Sequence, residues 1–303
     1  MTLGFMAGVP TVVHVLFVWV PALITIVWSF TKWDGLKLWA WQVIGFRNYW
    51  AVFTIFKGKF FPAFFNNLIL LVFLAICSLV GILFAYLLDK NIRGSAFYQS
   101  IFYMPVVLSL AIVGFIWKSV MYSPRQGLFN VVLGRTANGN QIDWVGDAHR
   151  IFSFHIPWID TTVGLSRNFA ALLIAMAWRH IGYVMVLYLA GLKSVDPALR
   201  EAAAIDGCNE WQAFRRVVFP VMKPINVVVF VITVIEALRA FDIIAALNSP
   251  VGTKVLGVLV RDNLVGEGGG QVGLGSAYGV ILLLLCLGFI IWYLVNNYRE
   301  QAV

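Results

Sequence analysis

Charge is scarce in this chain. Only 12% of its 303 residues are Asp, Glu, Lys or Arg, where a soluble globular domain carries about a quarter. That excludes an ordinary soluble fold. Hydrophobic residues make up 61% of the chain and its mean hydropathy is +0.85, which points to a polytopic membrane protein. Cysteine is also scarce: Cys77, Cys208 and Cys286 lack any paired spacing, so they form neither a disulfide framework nor a zinc site and read as free thiols. His14, His149, His155 and His180 form no H-E-x-x-H pattern, and no G-x-x-x-x-G-K-[ST] loop occurs. The sequence therefore offers neither a metal centre nor an ATPase site of its own. The net charge of +8 comes from basic residues scattered between apolar runs rather than gathered on one face. That suits membrane anchoring, not nucleic acid.

The apolar runs are long enough to cross a bilayer, whose hydrocarbon core takes about 20 helical residues. Six are expected, at about 5–30, 66–88, 99–121, 168–192, 224–245 and 275–297, forming a single all-α transmembrane domain over 1–303. The first has no basic residue before it and no small-residue cleavage site after it, so it reads as a retained span rather than a signal peptide. Pro105 lies inside the third and predicts a kink there. Between the runs, 31–65 is rich in Trp33, Trp39, Trp41, Phe46 and Tyr49, the aromatic mixture of a headgroup region. Segment 122–167 is long and polar, with aromatic clusters around Trp144 and Trp158, and reads as an external cap. Segment 246–274 contains Gly268, Gly270 and Gly273 in a G-x-G-x-x-G, but no strand precedes it, so a dinucleotide site is rejected.

The most informative stretch is 193–223, the longest polar interruption with strong helix signals. Asp196 can cap a helix that starts at Pro197, and Gly207 suits the left-handed position that ends it. Asn209 and Gln212 then have capping-box spacing for a second helix through Trp211, Phe214, Val217 and Val218. Small Ala202, Ala203, Ala204 and Gly207 allow close approach by another surface, while Trp211 and Phe214 offer large apolar contacts, so the pair reads as a docking knob.

This stretch resembles the EAA loop of ABC-importer permeases, in which E-A-A is followed at fixed spacing by G and then by I-x-L-P. Glu201, Ala202, Ala203, Gly207 and Pro220 fall on the pattern, with Val217 and Phe219 at the isoleucine and leucine positions. The pieces G-F-R-N-Y-W at Gly45–Trp50, P-R-Q-G-L-F-N at Pro124–Asn130 and D-W-V-G-D at Asp143–Asp147 are similar to the carbohydrate-uptake branch of those permeases. One departure is that Phe241-Asp242 leads to N-S-P-V-G-T rather than the T-G-G-G-P-like turn of sugar-type relatives.

The resemblance implies that the loop faces the cytoplasm and carries the coupling residues Glu201, Ala202, Ala203, Asp206, Gly207, Trp211, Phe214 and Pro220. Its implied partners are a dimer of ATP-binding subunits, a second homologous permease subunit, an extracytoplasmic solute-binding protein and membrane lipid. The chain itself then needs no cofactor, with ATP and Mg held on the ATPase subunits, in the cytoplasmic membrane of a prokaryote. Basic residues are denser, per residue, in the segments this topology places inside.

Arg179 and His180 stand halfway along the fourth apolar run, and Glu236, Arg239 and Asp242 at helical spacing in the fifth. A charge at the bilayer centre costs roughly 2.5 to 3.5 kcal/mol, so such groups face a cavity or one another. Two readings stand: with Tyr183 they line a solute path, or Glu236 pairs with Arg239 and Arg239 with Asp242 as an internal clamp. Trp178, Tyr183 and Tyr188 read as packing in preference to sugar stacking. An ion-gradient-driven carrier is the alternative function, but the inverted repeats it predicts are not visible. An intramembrane enzyme using Glu236, Asp242 and His180 lacks a nucleophile or metal constellation.

Overall fold

The computed structural model describes residues 2–37, 39–90, 93–137, 139–247, 252–265 and 270–299. The turn residues Asn248–Val251 and the glycine-run residue Gly268 singled out above lie outside them. In chain order the helices begin with α1 (Thr2–His14), α2 (Val20–Trp28), α3 (Arg47–Thr54), α4 (Lys57–Asp89), α5 (Ser95–Val107), α6 (Leu110–Ile116) and α7 (Leu128–Val132). They continue with α8 (Arg167–Ser194), α9 (Pro197–Ile205), α10 (Glu210–Ala213), α11 (Phe219–Val221), α12 (Lys223–Leu238), α13 (Asp242–Leu247), α14 (Leu256–Leu264) and α15 (Val272–Arg299). Two small antiparallel hairpins interrupt this helical plan. They are β1 (Thr31–Lys32) with β2 (Gln42–Val43), and β3 (Arg150–Ile156) with β4 (Thr161–Ser166).

Four helical stretches are long and apolar enough to cross a membrane: Met6–Trp28, Lys57–Asp89, Arg167–Ser194 and Val272–Asn296. The count reaches six if each of two bent pairs is one span. The third expected span is not one kinked helix. It breaks at Leu108, which is extended, and restarts where Ser109 accepts a hydrogen bond from the Ile112 N–H; the two halves are bent by 104°. The break falls three residues beyond Pro105 because that is where a side chain can cap the new helix. The second bent pair is Glu210–Val221 with Lys223–Leu238, at 77°, and the fifth expected run is itself interrupted, since α12 stops at Leu238 and α13 starts at Asp242.

Of three π-helical stretches among the described residues, Val15–Trp19 and Phe214–Val218 each end two residues before a proline, and Trp117–Met121 does not. Widening the turn there relieves the clash between the ring of Pro21 or Pro220 and the carbonyl one turn back.

The chain forms two compact units. One comprises 1–64, 154–163 and 254–287; the other comprises 65–153, 164–253 and 288–303. In the first, Val52 of α3 and Phe60 and Ala63 of α4 bury against Leu256, Leu259, Leu274 and Tyr278. The Asn48 side chain donates to the carbonyls of Ser29 and Thr31, at 2.9 and 2.8 Å, and fixes β1 to α3.

In the second unit the ends of α4 and α8 enclose a core with the 193–223 loop, through Leu88, Met185, Tyr188, Leu192, Phe214 and Val218. Helices cross here on glycine. A Cβ on Gly182 of α8 would stand 2.0 Å from the Phe102 carbonyl oxygen of α5, and one on Gly114 of α6 would stand 2.5 Å from Ala246 Cβ of α13. Small residues let membrane helices approach closely enough for dispersion to hold them.

Candidate functional site

The 193–223 loop is built by short-range capping. Asp196 Oδ1 accepts from the Ala198 N–H at 2.9 Å, and Pro197 opens α9 at a position where its missing N–H costs nothing. Gly207 closes the helix at φ +80°, with the Gly207 N–H on the Ala204 carbonyl and the Cys208 N–H on the Ala203 carbonyl. That is a Schellman motif. Asn209 and Gln212 then form a reciprocal capping box, at 2.8 and 3.0 Å, that starts α10. Two stiff elements therefore meet at one glycine.

α9 presents Glu201, Ala202, Ile205 and Asp206 outward, with Ile205 87% exposed. Ala203 is turned inward and buried. Trp211 is half exposed and Pro220 exposed, whereas Phe214 is buried, with its ring centroid 4.8 Å from that of Tyr86. Phe214 and Val218 lie on the inward face of the second helix. Two ion pairs tie the loop to the end of α4. Arg200 Nη1 donates to Asp89 Oδ2 at 2.7 Å, while Lys90 pairs with Glu210. The Glu210 hydrogen bond holds the Lys90 ammonium above the ordinary lysine range. These groups border a cavity of about 570 Å³ between the loop and the ends of α4 and α8.

The intramembrane charges gather around Glu236. Arg179 Nη1 donates to its Oε1 at 2.9 Å, and His180 Nδ1 lies 2.7 Å from its Oε2. A carboxylate only accepts, so Nδ1 carries a proton. His180 is fully buried, and its Nε2 is 2.9 Å from Ser78 Oγ and 3.5 Å from Thr233 Oγ1. α4, α8 and α12 are thus joined by one polar network. The internal clamp is corrected: Glu236 reaches across to Arg179 and His180 of α8 rather than along α12 to Arg239.

Arg179, Tyr183, Glu236, Arg239 and Asp242 line a cavity of about 320 Å³; His180 sits behind Glu236 and does not. Trp178 packs edge-on against Trp117 at 5.8 Å. Tyr188 is buried, with its hydroxyl on Asn226 Oδ1 at 2.5 Å. Ser78, Thr233, Asp89, Lys90, Arg200 and Glu210 were not singled out from the sequence as site residues.

Residues 77–299 match the family described as the binding-protein-dependent transport system inner membrane component. The chain belongs to that family. It is a permease component, and the alternative of an ion-gradient-driven carrier finds no support. As a permease it has no ATPase site of its own.

Among relatives, the permease is 30% identical over 280 residues to the xylose/arabinose import permease protein of Haloferax volcanii, covering 91% of this chain and 81% of the relative. It is 28% identical over 261 residues to the trehalose/maltose transport system permease protein of Thermococcus litoralis, covering 85% and 81%. A solved bacterial ABC transporter involved in the import of the acidic polysaccharide alginate shares the permease's fold, with a TM-score of 0.73, 22% identity and 99% and 96% of the two chains covered.

Proposed function

We propose that this permease moves a neutral polyhydroxylated solute, a sugar or short oligosaccharide, across the cytoplasmic membrane of a prokaryote. The observation that carries the solute class is the lining of the smaller cavity. It holds the cations Arg179 and Arg239 and the acids Glu236 and Asp242, so its side-chain charges balance. Such a lining offers donors and acceptors for hydroxyl groups without a net attraction for an anion, which favours a sugar over a glycerol phosphate. The sugar-uptake relatives support the same reading.

In this account an extracytoplasmic binding protein delivers the solute, and a second, homologous permease supplies the other half of the path. A dimer of ATP-binding subunits, carrying ATP and Mg, docks on the outward face of α9 through Glu201, Ala202, Asp206 and Gly207. Closure of that dimer moves α9 and rocks the spans between two accesses. The capped ends of α9 and its ion pair to α4 make it stiff enough to transmit the motion. Uptake into proteoliposomes containing the complete complex tests the solute class. Neutral oligosaccharides are expected to accumulate with ATP and glycerol phosphate is not; the reverse selectivity overturns the reading.

A further inference from the structure

The segment from Thr31 to Phe60 holds five basic residues, Lys32, Lys37, Arg47, Lys57 and Lys59, against the single acid Asp34. None of the five has an ion-pair partner among the described residues. Between them stand large apolar side chains open to the surroundings: Trp39 is 91% exposed, Phe46 and Trp50 are 73%, and Ile55 is 74%. This is a folded surface and not a loose loop. Val52 of α3 is fully buried beneath it, and the Asn48 bonds hold β1 and α3 together.

Neither bulk water nor hydrocarbon suits such a surface. Water leaves the indoles uncovered, and hydrocarbon strands the ammonium groups. The headgroup layer accommodates both, with rings at the acyl boundary and long basic side chains reaching outward. α4 supplies the depth. Its 33 residues span about 50 Å, well beyond a hydrocarbon core of about 30 Å, so an end of the helix has to lie in the interface. Lys57 and Lys59 are in its first turn.

We propose that Thr31–Phe60 is an interfacial anchor that selects anionic phospholipid, its unpaired cations binding headgroup phosphates while Trp39, Phe46, Trp50 and Ile55 seat in the acyl boundary. Interleaving of rings and cations on one short segment favours lipid over an acidic protein face, which would need a polar rim around its apolar centre. Each cation near an anionic surface favours association roughly fivefold.

The test uses the whole complex in nanodiscs of phosphatidylcholine doped with spin-labelled phosphatidylglycerol or spin-labelled phosphatidylcholine, reading the immobilised fraction. The wild type is expected to prefer phosphatidylglycerol by at least about fivefold, one cation's worth, and to lose that preference as salt screens it. The combined variant Lys32→Gln, Lys37→Gln, Arg47→Gln, Lys57→Gln and Lys59→Gln brings the ratio to one, while Arg47→Lys with Lys57→Arg and Lys59→Arg keeps it. Equal immobilisation of both lipids by the wild type overturns the proposal. So does a preference that survives the neutral variant or ignores salt. A neutral variant that keeps its lipid preference but loses affinity for the binding protein assigns the surface to that protein instead.

Discussion

Replacing Glu236 by Leu removes the acceptor for both Arg179 and His180, whose donors stand 2.9 and 2.7 Å from it. The Arg179 side chain is 25% exposed and the Glu236 side chain 14%, so an uncompensated guanidinium is left in a poorly solvated place. Its Nε is already buried without a partner. Breaking a buried pair costs about 3 to 5 kcal/mol, and the partial exposure of Arg179 puts this case near the lower figure. Arg179→Leu strands less, because His180 still donates to Glu236, and is expected to cost about 2 kcal/mol. The double variant leaves no unpaired charge on that pair and is expected to recover more than about 1 kcal/mol of the summed single costs. Thermal unfolding of the purified complex in detergent reads these as midpoint shifts of about 2 to 4 °C per kcal/mol. Additive single and double costs would refute the pairing.

Asp89→Arg is expected to lower the ratio of transport to ATP hydrolysis with at most about 1 kcal/mol of stability lost, since Arg200 is substantially exposed; adding Arg200→Asp is expected to restore the ratio, which parallel uptake and phosphate-release assays measure. Gly182→Ala drives a methyl to within 2.0 Å of the Phe102 carbonyl oxygen and is expected to cost about 1 to 3 kcal/mol by forcing α5 and α8 apart. Gly288→Ala meets nothing within 4 Å and is expected to be neutral or stabilising by about 0.5 to 1 kcal/mol on the same thermal scan.

What was legible in the sequence is what the chain decides locally. Asp196 with Pro197, Gly207, and Asn209 with Gln212 each act within a few residues, and the caps they form follow from side-chain chemistry at fixed offsets. The apolar runs are equally direct, because bilayer thickness sets their length. Hidden from sequence were the pairings made across the fold. Glu236 meets Arg179 57 positions away, Arg200 meets Asp89 111 away, and Lys90 meets Glu210 120 away. No periodicity carries such separations. Helical spacing on α12 offered Arg239 as the nearer partner, but both carboxylate oxygens of Glu236 are taken by α8, one by Arg179 and the other by His180. The break at Leu108 was half legible: Pro105 announced a disturbance, but the availability of Ser109 as a cap chose its position.

The central claim is that α9 couples an external ATPase to this permease. The direct measurement is ATP hydrolysis by the purified complex in proteoliposomes, with and without binding protein and sugar, for the wild type and Gly207→Asp. Gly207 sits at φ +80° with nothing within 4 Å of an added Cβ, so the substitution strains the end of α9 by about 1 to 2 kcal/mol without a clash inside the permease. Sugar-stimulated hydrolysis in the wild type, lost in an intact and assembled variant, is the predicted result. A variant that couples normally, or a wild type with which no ATPase co-purifies, contradicts the account.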